Sequence, residues 1–143
     1  MFTILYVDDE PGLLEIGKIF LEQNGQFSVD TITSAPAALA LMETKAYDAI
    51  ISDYQMPDMD GIGFLKKVRS SGNTIPFILF TGRGREEIVI QALNEGADYY
   101  LQKGGDLLVQ FTELTHQIRQ AVQQRRAETS LRDHKRREAD IIN

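Results

Sequence analysis

The stretch Thr3-Ile4-Leu5-Tyr6-Val7-Asp8-Asp9-Glu10 passes without a break from an apolar run of strand length into an acidic cluster. Ile4 to Val7 shows no polar alternation, so a strand there is buried on both faces, as in a parallel sheet covered by helices. Phe77-Ile78-Leu79-Phe80 repeats the pattern. Strand-length runs recur at residues 3–7, 27–32, 49–52, 77–81 and 99–101, separated by stretches of helical spacing. A βα unit repeated five times predicts a doubly wound α/β fold.

The first helix is expected over residues 12–23, with Leu13, Leu14, Ile16, Gly17, Phe20 and Leu21 on one broad face and Asn24-Gly25 as the stop. Ser34 is the expected N-cap of the second, which carries Ala38, Leu39, Leu41 and Met42. The third spans residues 61–71 with Ile62, Phe64, Leu65 and Val68 inward. The fourth starts at Glu86-Glu87, acidic residues that suit the positive end of a helix, and closes at Asn94-Glu95-Gly96. A fifth starts near Asp106 and docks through Phe111, Leu114, Ile118 and Val122.

Doubly wound sheets bind ligands beyond the carboxyl ends of their strands, so the residues just after each strand carry the functional reading. They are Asp8-Asp9-Glu10 after the first, Asp53-Tyr54-Gln55 after the third, Thr81-Gly82-Arg83-Gly84 after the fourth and Gln102-Lys103-Gly104-Gly105 after the fifth. Three carboxylates on one edge repel unless a cation neutralises them, and hard oxygen donors suit Mg²⁺. A carboxylate beside Mg²⁺ is a competent nucleophile for phosphorus, and the Thr81 hydroxyl and Lys103 ammonium are suited to bind phosphoryl oxygens. No dedicated base for water stands among these residues, which favours a long-lived acyl phosphate over rapid turnover. An acidic pair after a strand is alone no more than a helix cap, and a lone Thr or Lys is ordinary; the joint placement carries the reading.

These motifs resemble the response regulator receiver family of two-component signalling, the CheY-like, flavodoxin-like fold whose five-stranded parallel sheet has the order 2-1-3-4-5 flanked by five helices. The resemblance covers about residues 2–123 and rests on Val7-Asp8-Asp9-Glu10, on the run from Ser52-Asp53 through Met56-Pro57 to Asp60-Gly61, on Thr81-Gly82, and on Gly96-Ala97-Asp98-Tyr99-Tyr100-Leu101-Gln102-Lys103. It implies that Asp53 is the phosphoacceptor. It further implies that Asp9, Asp53 and the Gln55 backbone carbonyl ligate Mg²⁺, with Asp8 acting largely through metal-bound water. Lys103 then pairs with the phosphoryl group or with Asp53, Thr81 is the switch hydroxyl, and Tyr100 is the aromatic that rotates inward between the fourth and fifth helices. Tyr99 and Tyr100 must face opposite sides of their strand, and the position relative to Lys103 favours Tyr100.

Two departures stand out. The family usually places proline after the lysine, whereas this chain has Gly104, so a trans link or a strained one is expected, with a more mobile loop. The resemblance also implies that Arg83 and Gln55, at positions that flank the phosphoryl group in the family, modulate phosphate lifetime.

At 143 residues the chain suits one domain and an appendage, read as a receiver over 1–123 and a charged helical extension or linker over 124–143. The extension holds six Lys/Arg against four Asp/Glu; the remainder holds nine against seventeen. An acidic body argues against a nucleic-acid surface, and the basic run at 132–137 is read as a solvated helix face. No run approaches the roughly 18 apolar residues of a membrane span, no charged leader precedes the first strand, and there is no cysteine for a disulfide or thiolate site. A cytoplasmic location is expected.

The extension resembles linkers to sensor or kinase modules in hybrid proteins, so a fragment is favoured over a stand-alone receiver. The expected partners are a histidine kinase or phosphotransfer domain, an output protein or domain outside this chain, and a second copy through helices 4 and 5. A switch rather than an enzyme is expected, with only self-phosphorylation and slow self-dephosphorylation. Two rivals are an aspartyl-nucleophile metal-dependent phosphatase and a pseudo-receiver scaffold. Asp8-Asp9-Glu10 lacks the DxD spacing of haloacid-dehalogenase-like enzymes, and none of the acidic or lysine positions is lost.

Overall fold

A computed structural model describes residues 1–82 and 86–142, with the side chains of 138–142 excepted. Five strands alternate with five helices: β1 (Phe2–Val7), α1 (Pro11–Glu22), β2 (Phe27–Ile32), α2 (Ala35–Thr44), β3 (Ala49–Ser52), α3 (Gly61–Ser70), β4 (Phe77–Thr81), α4 (Glu86–Asn94), β5 (Tyr99–Gln102) and α5 (Leu107–Ile142). All strand pairs are parallel, and the sheet order is β2-β1-β3-β4-β5. The predicted fold and strand order are those observed.

The apolar strands divide their side chains between two cores, as the period of two requires. Ile4, Tyr6, Ile51, Ile78 and Phe80 pack on the side of α1 and α5, against Leu14, Leu21, Phe111, Leu114 and Ile118. Leu5, Val7, Ile50, Phe77 and Leu79 pack on the opposite side, against Ala35, Ala38, Phe64, Leu65 and Ala92 of α2, α3 and α4. Full burial of each Ile, Leu or Phe contributes roughly 1.5–3 kcal/mol, so these two layers hold the sheet.

Ser34 caps α2 by accepting from Ala37 N–H at 3.3 Å, as predicted. Ile16, expected inward, is about half exposed at 48%, because α1 buries only the narrower stripe of Leu14, Gly17 and Leu21. Gly17 is required there: a Cβ would lie 2.6 Å from the Tyr6 ring and 3.0 Å from Phe111. The open edge of β2 is covered by α1, whose Lys18 ammonium donates to Val29 O at 2.5 Å while Glu22 accepts Val29 N–H at 2.9 Å.

The extension continues α5 without interruption to Ile142. Its base is tied to the amino edge of the sheet. Arg119 donates to Gln26 at 2.7 Å, and Arg126 stacks 4.5 Å over the Phe2 ring, with Asp48 at 3.5 Å. Residues 127–137 are exposed. No helix among the described residues is long and apolar enough to cross a membrane.

Candidate functional site

The carboxyl ends of β1, β3, β4 and β5 bring the predicted residues to one cleft of about 310 Å³, lined by Asp9, Glu10, Asp53, Gln55, Thr81, Gly82 and Lys103. Sheet bonds run to the rim: Asp8 N–H donates to Ile32 O, Asp53 N–H to Val7 O at 2.9 Å, and Lys103 N–H to Thr81 O at 2.9 Å. The backbone N–H groups of Asp8, Asp53 and Lys103 are therefore each tied to a neighbouring strand.

Asp53 is 6% exposed, and its Oδ1 accepts the Tyr54 N–H at 2.8 Å. The loop behind it is held by Gly61 N–H donating to Tyr54 O at 2.7 Å and by the Asp60 cap of α3, whose Oδ1 accepts Gly63 N–H at 2.7 Å. Only glycine fits at position 61, because a Cβ there would stand 2.2 Å from the Asp53 carbonyl oxygen. The run from Asp53 to Gly61 thus brings the start of α3 against the backbone of Asp53.

Asp8 is fully buried, with Oδ1 accepting Glu10 N–H at 2.9 Å and Oδ2 accepting the Lys103 ammonium at 2.6 Å. Lys103 also lies 3.4 Å from Asp53 Oδ2. The predicted pairing with Asp53 is present, but the tighter partner is Asp8. Asp9 is exposed, and one oxygen each of Asp8, Asp9 and Asp53 lies within 4.8 Å of the others.

Burial pushes the Asp8 carboxyl above the usual carboxylate range, although Lys103 and the Glu10 N–H pull it down. Asp53 is likewise raised, first by burial, against the pull of Lys103, Tyr54 N–H and the Thr81 hydroxyl. Lys103 is raised despite burial, because its bond to Asp8 and the negative charges of Asp8, Asp53 and Glu10 outweigh desolvation. Two buried carboxylates held above their ordinary values beside a third, with one ammonium between them, form an oxygen-rich site in which carboxylates outnumber cations among the described residues. That donor set fits a hard divalent cation.

Thr81 is 2% exposed at the end of β4 and lines the cleft with Asp53, whose carboxyl its hydroxyl pulls down. Gln55 is exposed at the cleft wall. Tyr99 and Tyr100 do face opposite sides: Tyr99 packs on the α1/α5 core, and Tyr100, half-buried, on the opposite core. The expected modulator Arg83 lies outside the described residues.

The peptide after Lys103 is trans, since no cis bond occurs among the described residues. Gly104 and Gly105 use the freedom that proline lacks, at φ +131° and +80°. Glu10, in the acidic run after β1, lines the cleft, and one feature escaped the sequence reading: Gln110, a buried polar residue of α5. The signal for Gln110 was its spacing, four before Leu114 on the apolar stripe.

Residues 4–119 match the family model for the response regulator receiver domain. The chain is 37% identical over 106 residues to the response regulator Rre1 of Synechocystis sp., covering 73% of this chain and 46% of that protein. It is 32% identical over 127 residues to DctD of Rhizobium meliloti, a C4-dicarboxylate transport transcriptional regulatory protein, covering 87% and 27% respectively. The chain therefore spans less than half the length of these curated relatives. Its structure resembles that of a CheY-like receiver domain protein from Methanospirillum hungatei at a TM-score of 0.80, with 27% identity over 90% of this chain and 98% of that one.

Proposed function

The chain belongs to the response regulator receiver family, and on that premise we propose that it is a phospho-accepting switch whose acceptor is Asp53. The observation that carries this reading is the convergence at the sheet edge: a nearly buried Asp53 carboxylate with two further carboxylate oxygens within 4.8 Å and the Lys103 ammonium at 3.4 Å.

The donor is a phosphohistidine of a histidine kinase or phosphotransfer domain. A carboxylate oxygen of Asp53 forms a bond to phosphorus while the bond from phosphorus to the imidazole nitrogen breaks. The electron pair leaves with the imidazole, whose other ring nitrogen carries a proton, so that the leaving group is a neutral imidazole. Asp9, Asp53 and the Gln55 carbonyl would hold Mg²⁺, with Asp8 acting through its water. The metal supplies positive charge for the phosphoryl oxygens. The Lys103 ammonium, 3.4 Å from Asp53 Oδ2, and the Thr81 hydroxyl on the same cleft wall donate to those oxygens in turn.

Donating to the phosphoryl group draws the buried Thr81 hydroxyl toward it. We tie that shift to Tyr100, which lies half-buried on the α4 side of β5, so phosphorylation biases a two-state surface there. Ile90 and Leu93 of α4 are 53% and 48% exposed and suit a dimer or an output partner at the helix 4 and 5 face. We take residues 1–123 as the receiver body and 124–143 as a linker toward an output module outside this chain. Gln55 at the cleft wall, together with Arg83, is assigned to phosphate lifetime.

Intact-mass measurement after incubation with acetyl phosphate and Mg²⁺ tests the assignment. One phosphoryl adduct is expected on the wild type and none on Asp53→Asn. An equal adduct on both, or none on the wild type, rejects it.

A further inference from the structure

The Lys103 ammonium meets both buried carboxylates, yet the chain beyond it has little of its own to hold it. Gly104 and Gly105 sit at positive φ, and a Cβ at either would meet nothing within 4 Å. Consecutive glycines carry more backbone freedom than any other pair. Among the described residues, the last sheet bond is Lys103 N–H to Thr81 O, and backbone bonding resumes with Gln110 N–H to Asp106 O at 3.1 Å.

One buried side chain bridges that gap. Gln110 is 7% exposed on the first turn of α5, beside the buried Phe111. Its carboxamide nitrogen donates to the Gly104 carbonyl and, at 3.4 Å, to the Gln102 carbonyl. These two carbonyls flank Lys103. An amide this deep is costly unless bonded, so its bonds are bound up with its place on an otherwise apolar stripe.

We infer that Gln110 is a positioning residue: by gripping the backbone on both sides of Lys103, it fixes where the ammonium stands between Asp8 and Asp53. This rests on the phosphoryl-acceptor reading above. A lysine places a point charge at the end of a flexible four-carbon stem, so its anchor decides its reach. In this chain Gln110 supplies the stiffness that the two glycines remove.

Gln110→Met keeps the length and burial of the side chain and removes the donor. We expect Asp53 to be phosphorylated by acetyl phosphate about tenfold more slowly at saturating Mg²⁺, since a displacement near 1 Å can cost up to about a hundredfold. Mg²⁺ should bind as tightly as before or more tightly, because the ammonium loosened from Asp8 no longer opposes it. A merely structural role would weaken metal binding along with the rate. In a Lys103→Met background, Gln110→Met should add nothing further. Equal slowing in both backgrounds, an unchanged rate in the single variant, or weakened Mg²⁺ binding overturns the inference.

If Gln110→Met does not fold, Gln110→Asn, which withdraws the amide by one methylene, gives the same comparison. If the wild type forms no adduct, the phosphoryl reading itself fails. The positioning role is then decided by the nitrogen-15 signal of Lys103 Nζ. Slow proton exchange in the wild type that is lost in the variant supports the inference, and equal exchange in both rejects it.

Discussion

Replacing Asp53 by Asn should stabilise the metal-free protein, although it removes an ion-pair partner. Lys103 Nζ lies 3.4 Å from Asp53 Oδ2, an attraction of about 5 kcal/mol at an effective dielectric near 20. Asp8 is no more than 4.8 Å away, a repulsion of about 3.5 kcal/mol on the same scale. Exposed Asp9 adds a screened share, so the charge terms nearly cancel. What decides the sign is desolvation of a carboxylate that is 6% exposed, which costs several kcal/mol.

Asn keeps an oxygen for the Tyr54 N–H at 2.8 Å, and Lys103 keeps Asp8 at 2.6 Å, so neither donor is orphaned. The expected gain is roughly 1–3 kcal/mol, or about 3–9 °C in Tm for a chain of this length. Thermal unfolding with a chelator present measures it. Added Mg²⁺ should reverse the order at a thousandfold excess over Kd, where it stabilises the wild type by about 4.1 kcal/mol and the variant by less. If Asp53→Asn unfolds below the wild type in chelator, the Lys103 attraction outweighs burial and this reasoning fails.

Gly61→Ala should slow phosphorylation of Asp53 by tenfold or more and cost about 1–3 kcal/mol, because the new Cβ would stand 2.2 Å from the Asp53 carbonyl; a variant of wild-type rate and Tm refutes the packing argument. The fully buried Tyr6 hydroxyl has no hydrogen-bond partner among the described residues, so Tyr6→Phe should be neutral or up to about 1 kcal/mol more stable in urea unfolding; a clear loss would disprove this. Burial raises Asp8 and Asp53, so their contribution to metal-free stability is fully present below the ordinary carboxylate pKa and is lost as pH rises through the raised values. Mg²⁺ competes with those protons, and its calorimetric affinity should therefore weaken on acidification at a higher pH than ordinary carboxylates would give; a pH-independent affinity down to the ordinary range counts against it.

The sheet was legible because each buried strand is a plain apolar run, and because β-strands expose successive side chains to opposite faces whatever the partner. The acidic, hydroxyl and lysine positions were legible for a related reason: a parallel βα repeat sends every strand end to one edge, so Asp8, Asp53, Thr81 and Lys103 had to meet. The sequence also gave notice, in Gly104, that the link after Lys103 would differ from the usual one.

Distances and competing partners were decided elsewhere. That Lys103 sits closer to Asp8 than to Asp53 depends on how β1 and β5 lie across β3 and β4, residues 95 apart in the chain. The exposure of Ile16 depends on how narrow a stripe α1 offers the sheet, which helical period alone does not fix. Gln110 escaped the sequence reading because its partners are two carbonyls, those of Gln102 and Gly104, that meet α5 only in three dimensions. Periodicity is local chemistry and can be read along a chain, whereas a hydrogen bond between distant segments exists only once packing has chosen their separation.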